Sequence, residues 1–220
     1  MFEPKNHKID GSVLDKLISS RRSIRKYKSD IPPEGDIHEL IRCASWAPSP
    51  SNSQPVRFFR VSSLKIRERL RQSMEDGRRH YLEAVEQKHG PKRLKNWVNV
   101  YWRYSIFMFD APVLMAVGTL ERVAGFSWRL FEAGYNHRLN QMHNDLVLAT
   151  GMAAKGLFLK ATELGLGTCM LTAPLSFLSE PEKILGVKDV RILGFITIGY
   201  PDEEPFVPDR NDVSAYYQEL

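Results

Sequence analysis

The sequence predicts a mixed fold, α/β or α+β, on three observations. Helical periodicities alternate with short, separated strand candidates. The balance of 43% hydrophobic and 26% charged residues is that of an ordinary globular protein, with neither a disordered nor a fibrous signature. A length of 220 residues suffices for one compact domain spanning residues 1–220.

Taken in order, Val13, Leu14, Leu17 and Ile18 recur at helical spacing, and Ile37, Leu40, Ile41 and Ala44 repeat the pattern with Pro32 and Pro33 near the start of that second helix. PVRFFRVSS (55–63), APVLMAVGTL (111–120) and VRILGFITIGYP (190–201) are short, rich in β-branched or aromatic residues, and edged by Gly or Pro, so they are the strand candidates. Residues 145–164 form a helix apolar or small nearly all the way round, which is buried on most sides. Gly151, Ala154 and Gly156 permit another backbone to approach it, from the domain's own core or from a second subunit. Between these elements, residues 72–104 are first polar and basic, then dense in aromatics. They are either a helical lid over a site or a solvated hairpin with an aromatic inner face.

A net charge of +5 suits an anionic ligand, nucleic acid or an acidic surface without choosing among them. Cys43 and Cys169 are the only cysteines and lack CxxC spacing, which argues against a disulfide framework and for a reducing compartment. The N-terminal MFEPKNHKIDG has no apolar targeting core and no run of about 18 apolar residues occurs, so a soluble, cytoplasmic protein without a membrane partner is expected.

Several chemistries lack their motifs. There is no GxGxxG after a strand, no GxxxxGK[ST] and no GxSxG, and neither cysteine has a neighbouring histidine. His7, His38, His80, His89, His137 and His143 form no HExxH and no ligand spacing with cysteine, so no metal is expected. Glu203 and Glu204 lie in a Pro-bounded tail loop and single out no acid or base. No side chain is assigned as catalytic.

RRSIRKY (21–27) puts four positive charges into seven residues. If extended, it presents Arg21, Ser23 and Arg25 on one side and Arg22, Ile24 and Lys26 on the other. Arg21 and Arg25 are then roughly 13 Å apart, enough to grip two parts of one elongated ligand, and a guanidinium fork suits phosphate. A basic turn favoured by a helix C-terminus explains the same residues. WAPSPSNSQPVRF (46–58) sets Ser49, Ser51, Asn52, Ser53 and Gln54 among stiffening prolines just ahead of a strand.

Together, RRSIRKY, APSPSNSQPVRF, DAPVLMAVG, LGLGTCML and LGFITIGYP, with Arg210 beyond, resemble in order the motifs of the nitroreductase family of FMN-dependent oxidoreductases over nearly the whole chain. The resemblance implies an α+β fold with a central, mostly antiparallel sheet flanked by helices, in an intertwined homodimer with two interfacial FMN sites. It implies that Arg21, Arg22 and Ser23 hold the phosphate and ribityl chain of FMN, that Arg25 approaches N1 and the C2 carbonyl, and that Arg210 adds to the phosphate site. A cation at N1 stabilises the negative charge left by two-electron reduction. Pro48, Ser49, Asn52 and Gln54 close over the flavin from the other subunit, and a backbone N–H near Leu171, Thr172 or Ala173 reaches N5.

The implied activity is ping-pong: NADH or NADPH reduces the flavin through N5, then a small planar acceptor such as a nitroaromatic or quinone takes the electrons. In the lid, Arg78, Arg79, Tyr81, Trp97, Tyr101 and Trp102 are the candidates to select that acceptor. Reductive dehalogenation, a flavin-consuming reaction, or flavin binding with little turnover are the alternatives. The absence of the deiodinase ExxxY pattern counts against the first, and the ordered flavin motifs count against nucleic acid as a partner. Departures from the family pattern are Val56 in place of Trp after QP, Lys155 and Gly156 in place of Gln-Asn, and Tyr104 and Phe107 where some members offer Asn and Lys.

Overall fold

The computed structural model describes residues 12–121, 126–135 and 139–219. The N-terminal segment through residue 11, and with it His7, lies outside the described residues, as does His137. Among the described residues seven α-helices and four strands follow in the order α1 (Val13–Ser20), α2 (Glu34–Ser45), β1 (Val56–Arg60), α3 (Leu64–Gln87), α4 (Lys92–Ile106), β2 (Val113–Leu120), α5 (Phe126–Glu132), α6 (Leu139–Glu163), β3 (Gly167–Leu171), α7 (Pro181–Leu185) and β4 (Val190–Gly199). The strands form one sheet in the order β1-β2-β4-β3, every pairing antiparallel.

Both faces of that sheet are covered. Val113, Met115 and Val117 of β2 point with Ile196 and Ile198 of β4 toward Ile37, Leu40 and Ala44 of α2 and Ala153, Ala154, Leu157 and Ala161 of α6. Leu114 and Ala116 point the other way with Ile192 and Phe195, onto Leu70 and Met74 of α3, Met108, and Phe177 beyond β3. Two-sided burial explains why β2 and β4 read as continuous apolar runs, as strands covered on both faces do. A shift in register between Val117 and Gly118 lets β4 keep both faces packed, and only glycine fits at 118, where a Cβ would lie 2.4 Å from the Arg191 carbonyl oxygen.

Helix ends follow local chemistry. Ser12 and Asp15 form a reciprocal capping box at α1, while Glu34 and Asp36 occupy the first turn of α2 behind Pro33. Arg67 of α3 donates to the carbonyls of Val61, Phe109 and Ala111, tying that helix to the chain entering β2; the burial this requires lowers its pKa.

Three differences from the sequence reading have physical causes. Gly167–Leu171 is a strand that its short, mixed composition does not announce; it adds the sheet's last edge through pairing with β4. The basic and aromatic segment does not begin at 72: Ser63 caps a helix starting at Leu64, and α3 and α4 together make an antiparallel hairpin joined by residues 88–91. The two small-residue positions of α6 part company. Gly156 accepts the close approach of α2, whose Cys43 carbonyl oxygen lies 3.3 Å from where its Cβ would be, whereas Gly151 faces open space. Val147, Leu148 (63% exposed) and Met152 share that open side of α6, and α1 buries none of its residues and exposes Val13 (73%), Leu14 and Ile18.

Gly77, in the middle of α3, has no room for a side chain, since a Cβ would sit 2.0 Å from the Phe177 carbonyl oxygen. Gly77→Ala must therefore lift α3 off the chain after β3, at an expected cost of roughly 2–3 kcal/mol. Gly35→Ala on the open face of α2, with nothing within 4 Å, should instead gain about 0.5–1 kcal/mol from helix propensity. Urea denaturation of the two variants measures both shifts, and equal effects would refute the packing argument.

Candidate functional site

The strip at residues 21–27 is stitched into the sheet edge rather than left as a turn. Ser23 bridges Thr168 of β3 in parallel, Tyr27 bridges Pro201 after β4, and Ile24 N–H donates to the Thr168 carbonyl at 3.0 Å. Lys28 N–H donates to Tyr200 and Asp202 N–H to Lys26, both at 3.0 Å. Ile24 is the anchor: it is buried, and Gly167 leaves it space, because a Cβ there would fall 2.6 Å from the Ile24 side chain. The Tyr27 hydroxyl meets Thr197 Oγ1 at 2.7 Å and donates to the Ile24 carbonyl. Burial raises the Tyr27 pKa well above that of an ordinary tyrosine.

The residues of the strip then divide. Arg22 donates to the carbonyls of Ser19 at 2.6 Å and Arg21 at 2.8 Å, capping the end of α1, which is the helix-end role. Ser23 is half-buried with its hydroxyl beside Cys169, whose thiol pKa is pushed up by burial and partly drawn back by Arg25. Arg21 and Arg25 make no ion pair among the described residues. Exposed Lys155 on α6 joins them: partial desolvation first, then the charge of Arg21, lowers its pKa. Like charges gathered in one place favour an anion. A pocket of about 410 Å³ opens at Arg21, between the ends of α1 and α6 and the tail after β4, although Glu203 and Glu204 also border it. Arg210 is exposed on that tail and is not among the pocket's walls.

Glu203, passed over in the sequence as an uninformative tail carboxylate, accepts the backbone N–H of Arg25 and of Lys26 on one oxygen. It clamps the strip from the outside. No spacing signal points to it, because the two elements it joins are far apart in the chain.

The loop carrying Pro48, Ser49, Asn52 and Gln54 lies elsewhere. It borders a pocket of about 360 Å³ against Ala149 and Ala153 of α6. Along α6, this is roughly 13–20 Å from Thr162, which borders the pocket at Arg21. Within one chain, therefore, the loop and the strip do not share a pocket. Ser51, Asn52 and Gln54 all have positive φ (52°, 51° and 46°). Ser49 Oγ fixes the loop by accepting from Gln54 N–H at 2.9 Å, and the buried Ser53 Oγ has no partner among the described residues.

A third pocket, of about 630 Å³, brings together Tyr81, Trp97 and Tyr101 of the α3–α4 hairpin with Thr172 and Ala173 after β3. Leu171 is buried in the core. Arg78 and Trp102 are turned into the hairpin seam: the guanidinium pairs with Glu75 at 2.8 Å, donates to Asn99, and sits 4.6 Å over the Trp102 ring. Arg79 is exposed and pairs with Asp76. Val85, Leu94, Val98, Ser176 and Phe177 complete the walls. The sequence reading missed them, although Leu94, Trp97, Val98 and Tyr101 mark one face of a helix at spacings of three and four. None of the ten lining side chains is charged.

Among the described residues no group of His, Cys, Asp and Glu could hold a metal ion, and no helix is long and apolar enough to cross a membrane. A two-face-covered antiparallel sheet with an arginine strip on its edge and an aromatic hairpin beside it is an α+β architecture. The chain belongs to the nitroreductase family, whose sequence profile matches residues 18–200. It is 29% identical over 217 residues to a Bacillus subtilis protein, YfhC, named as an NAD(P)H nitroreductase, covering 95% of each chain. It is also 29% identical over 209 residues to an iodotyrosine deiodinase of Thermotoga neapolitana, covering 93% of this chain and 97% of the deiodinase. Among solved structures, a BluB-like flavoprotein of Clostridium difficile 630 superposes with a TM-score of 0.80 at 22% identity, over 96% of this chain and 100% of that one. An iodotyrosine deiodinase bound to FMN and 3-iodo-L-tyrosine superposes with a TM-score of 0.67 at 25% identity, over 94% and 100%.

Removing the clamp tests its role in the strip. Glu203→Ala leaves two backbone donors without their carboxylate and should cost about 1–2 kcal/mol, whereas Glu203→Gln keeps an acceptor and should cost about half as much. Amide exchange at Arg25 and Lys26 should speed up in the first variant alone; unchanged exchange would show that the carboxylate does not hold the strip.

Proposed function

We propose that the protein is an FMN-dependent oxidoreductase that takes electrons from NADH or NADPH and delivers them to a small, planar, aromatic acceptor such as a nitroaromatic or a quinone. The observation that carries this reading is the pair Arg21 and Arg25, without an ion pair among the described residues, on a segment bridged to the sheet edge at Ser23 and Tyr27. That donor set fits FMN: an elongated anion needs cations at its phosphate and at the far, electron-rich end of its ring. In this arrangement Arg21, with Ser23, Lys155 and Arg210, holds the phosphate and ribityl chain, Arg25 faces the pyrimidine edge, and Arg22 contributes by fixing the end of α1. When bound, FMN supplies the two-electron chemistry that no side chain here offers.

The chain's own part is positioning. Thr172 and Ala173 present backbone and a hydroxyl at the floor of the aromatic pocket, and Tyr81, Trp97 and Tyr101 exclude water above it. A volume of about 630 Å³ suits one drug-sized ligand, so donor and acceptor occupy it in turn and the cycle is ping-pong. The hairpin is the lid of this pocket.

A homodimer completes the site. The loop of Pro48, Ser49, Asn52 and Gln54 lines a different pocket from Arg21 within one chain, and we read it as serving the partner's site. The exposed apolar sides of α1 and α6 support that contact, since such faces on a lone chain mark interaction surfaces. The free thiols of Cys43 and Cys169 support a cytoplasmic setting. Reductive dehalogenation is the second reading, favoured by the likeness to iodotyrosine deiodinases. It ranks lower because the sequence lacks the deiodinase ExxxY pattern.

The purified protein should be yellow, and Arg21→Ala should weaken FMN at least tenfold by equilibrium dialysis, as loss of a charge-assisted contact predicts. A colourless protein that FMN cannot reconstitute would overturn the reading. Leu148→Asp at the open side of α6 should give a monomer in sedimentation velocity and lose FMN with it. A monomer that keeps FMN at full affinity would remove the partner subunit from the site.

A further inference from the structure

The peptide that precedes Arg25 is held at both of its polar atoms by side chains. Its carbonyl, that of Ile24, accepts from the Tyr27 hydroxyl, and its N–H, that of Arg25, donates to the Glu203 carboxylate. The backbone on either side is engaged as well: Ile24 N–H donates to Thr168 at 3.0 Å, Lys26 N–H to Glu203 at 3.1 Å, and Asp202 N–H to the Lys26 carbonyl at 3.0 Å. Arg25 is nonetheless exposed, and among the described residues its guanidinium donates only to the Ser23 carbonyl, at 3.4 Å. The carboxylate that touches this residue takes its amide and leaves its charge without an ion pair among the described residues. A merely solvated arginine needs no such frame.

Tyr27 is the part of the frame that reaches the interior. Its ring is seated where Gly199 lacks a side chain, since a Cβ there would fall 2.9 Å from the ring, and its hydroxyl meets Thr197 Oγ1 at 2.7 Å. Thr197 is wholly buried in β4, an inner strand of the sheet. With the tyrosine proton given to Ile24, Thr197 is the donor to the phenol oxygen, so a chain of hydrogen bonds runs from β4 through Tyr27 to the Ile24–Arg25 peptide. Hydroxyls that donate and accept in one chain reinforce each other and fix a geometry. Tyr27 thereby ties the direction in which the Arg25 side chain leaves the backbone to the interior of the sheet. Arg21 takes its position from elsewhere: it is the C-cap of α1, its N–H donating to the Leu17 carbonyl at 3.2 Å.

We infer that Tyr27 is a positioning residue for the ring end of the flavin: its hydroxyl aims Arg25 at the pyrimidine edge, while α1 independently aims Arg21 at the phosphate. This rests on the reading of the strip as the FMN site. The two ends of the ligand are then governed by different parts of the fold, and loss of the hydroxyl weakens the ring end alone.

Equilibrium dialysis of flavin-free protein against FMN and against riboflavin, which lacks the phosphate, separates the two ends. Arg21→Ala should lower the FMN-to-riboflavin affinity ratio about tenfold. Tyr27→Phe keeps the ring in its seat and should weaken both flavins about fivefold, as loss of one hydrogen bond predicts, with the ratio unchanged. Arg25→Ala should also weaken both, and Tyr27→Phe should add nothing once Arg25 is gone. In the holoprotein, Tyr27→Phe should lower the two-electron potential of the flavin, as Arg25→Ala does, because a displaced cation stabilises the reduced ring less. Thr197→Val, which removes the donor to the phenol oxygen, is a second variant and should give a smaller loss with the same unchanged ratio. A ratio that falls in Tyr27→Phe as it does in Arg21→Ala would mean that the strip loosens as a whole, a merely structural role, and overturns the inference. Full affinity for both flavins overturns it too, as does an effect of Tyr27→Phe that persists undiminished beside Arg25→Ala. A wild type that binds neither flavin overturns the reading of the strip as a flavin site, and the inference with it.

Discussion

The structure depends on seven residues being held against the sheet edge by bridges at Ser23 and Tyr27 rather than released as a turn. Ile24 is seated against Gly167, its neighbours are hydrogen-bonded to Thr168 on one side and to Tyr200 and Asp202 on the other, and Glu203 closes the outside. Because that backbone is fixed at both ends, the guanidinium groups of Arg21 and Arg25 are presented at a set spacing instead of collapsing onto carboxylates. The same constraint explains why Tyr27 is half-buried: its ring packs where Gly199 leaves space, and its hydroxyl is satisfied by Ile24 and Thr197. An arginine pair on a flexible turn would find counter-ions; on this bridged strip it is left for a ligand.

The sheet divides labour between its faces. On one, α2 and α6 pack closely through Ala44, Ala153, Ala154, Gly156 and Ala161, which brings the strip and the proline-rich loop to different heights along α6. On the other, α3 and α4 rise as a hairpin whose seam is locked by Arg78 between Glu75, Asn99 and Trp102. The contact of Gly77 with Phe177 joins that hairpin to the segment after β3, so pocket wall and pocket floor are mechanically continuous.

Much of this was legible in the sequence because it rests on local pattern. The apolar spacing of α1 and α2, the runs of β2 and β4, and the ordered motifs sufficed for the fold and for the family. Strand β3 was hidden, since five residues of mixed character become a strand only through pairing with β4. Glu203 was hidden for a related reason: its role is fixed by contacts about 178 positions away in sequence, where no periodicity reaches. Of the lid candidates, aromatic density drew attention to the hairpin, but only helical phase separates Tyr81, Trp97 and Tyr101, which line a pocket, from Trp102, which fills the seam.

The loop after α2 has a further consequence. Three consecutive-region residues, Ser51, Asn52 and Gln54, hold left-handed backbone angles that glycine would adopt more easily. Pro48, Pro50 and Pro55 remove most of the alternatives. The conformational entropy of that loop is therefore lost when the chain folds, not when a ligand arrives. Binding against it carries little ordering penalty, so its contribution to affinity comes almost undiminished from the contacts themselves.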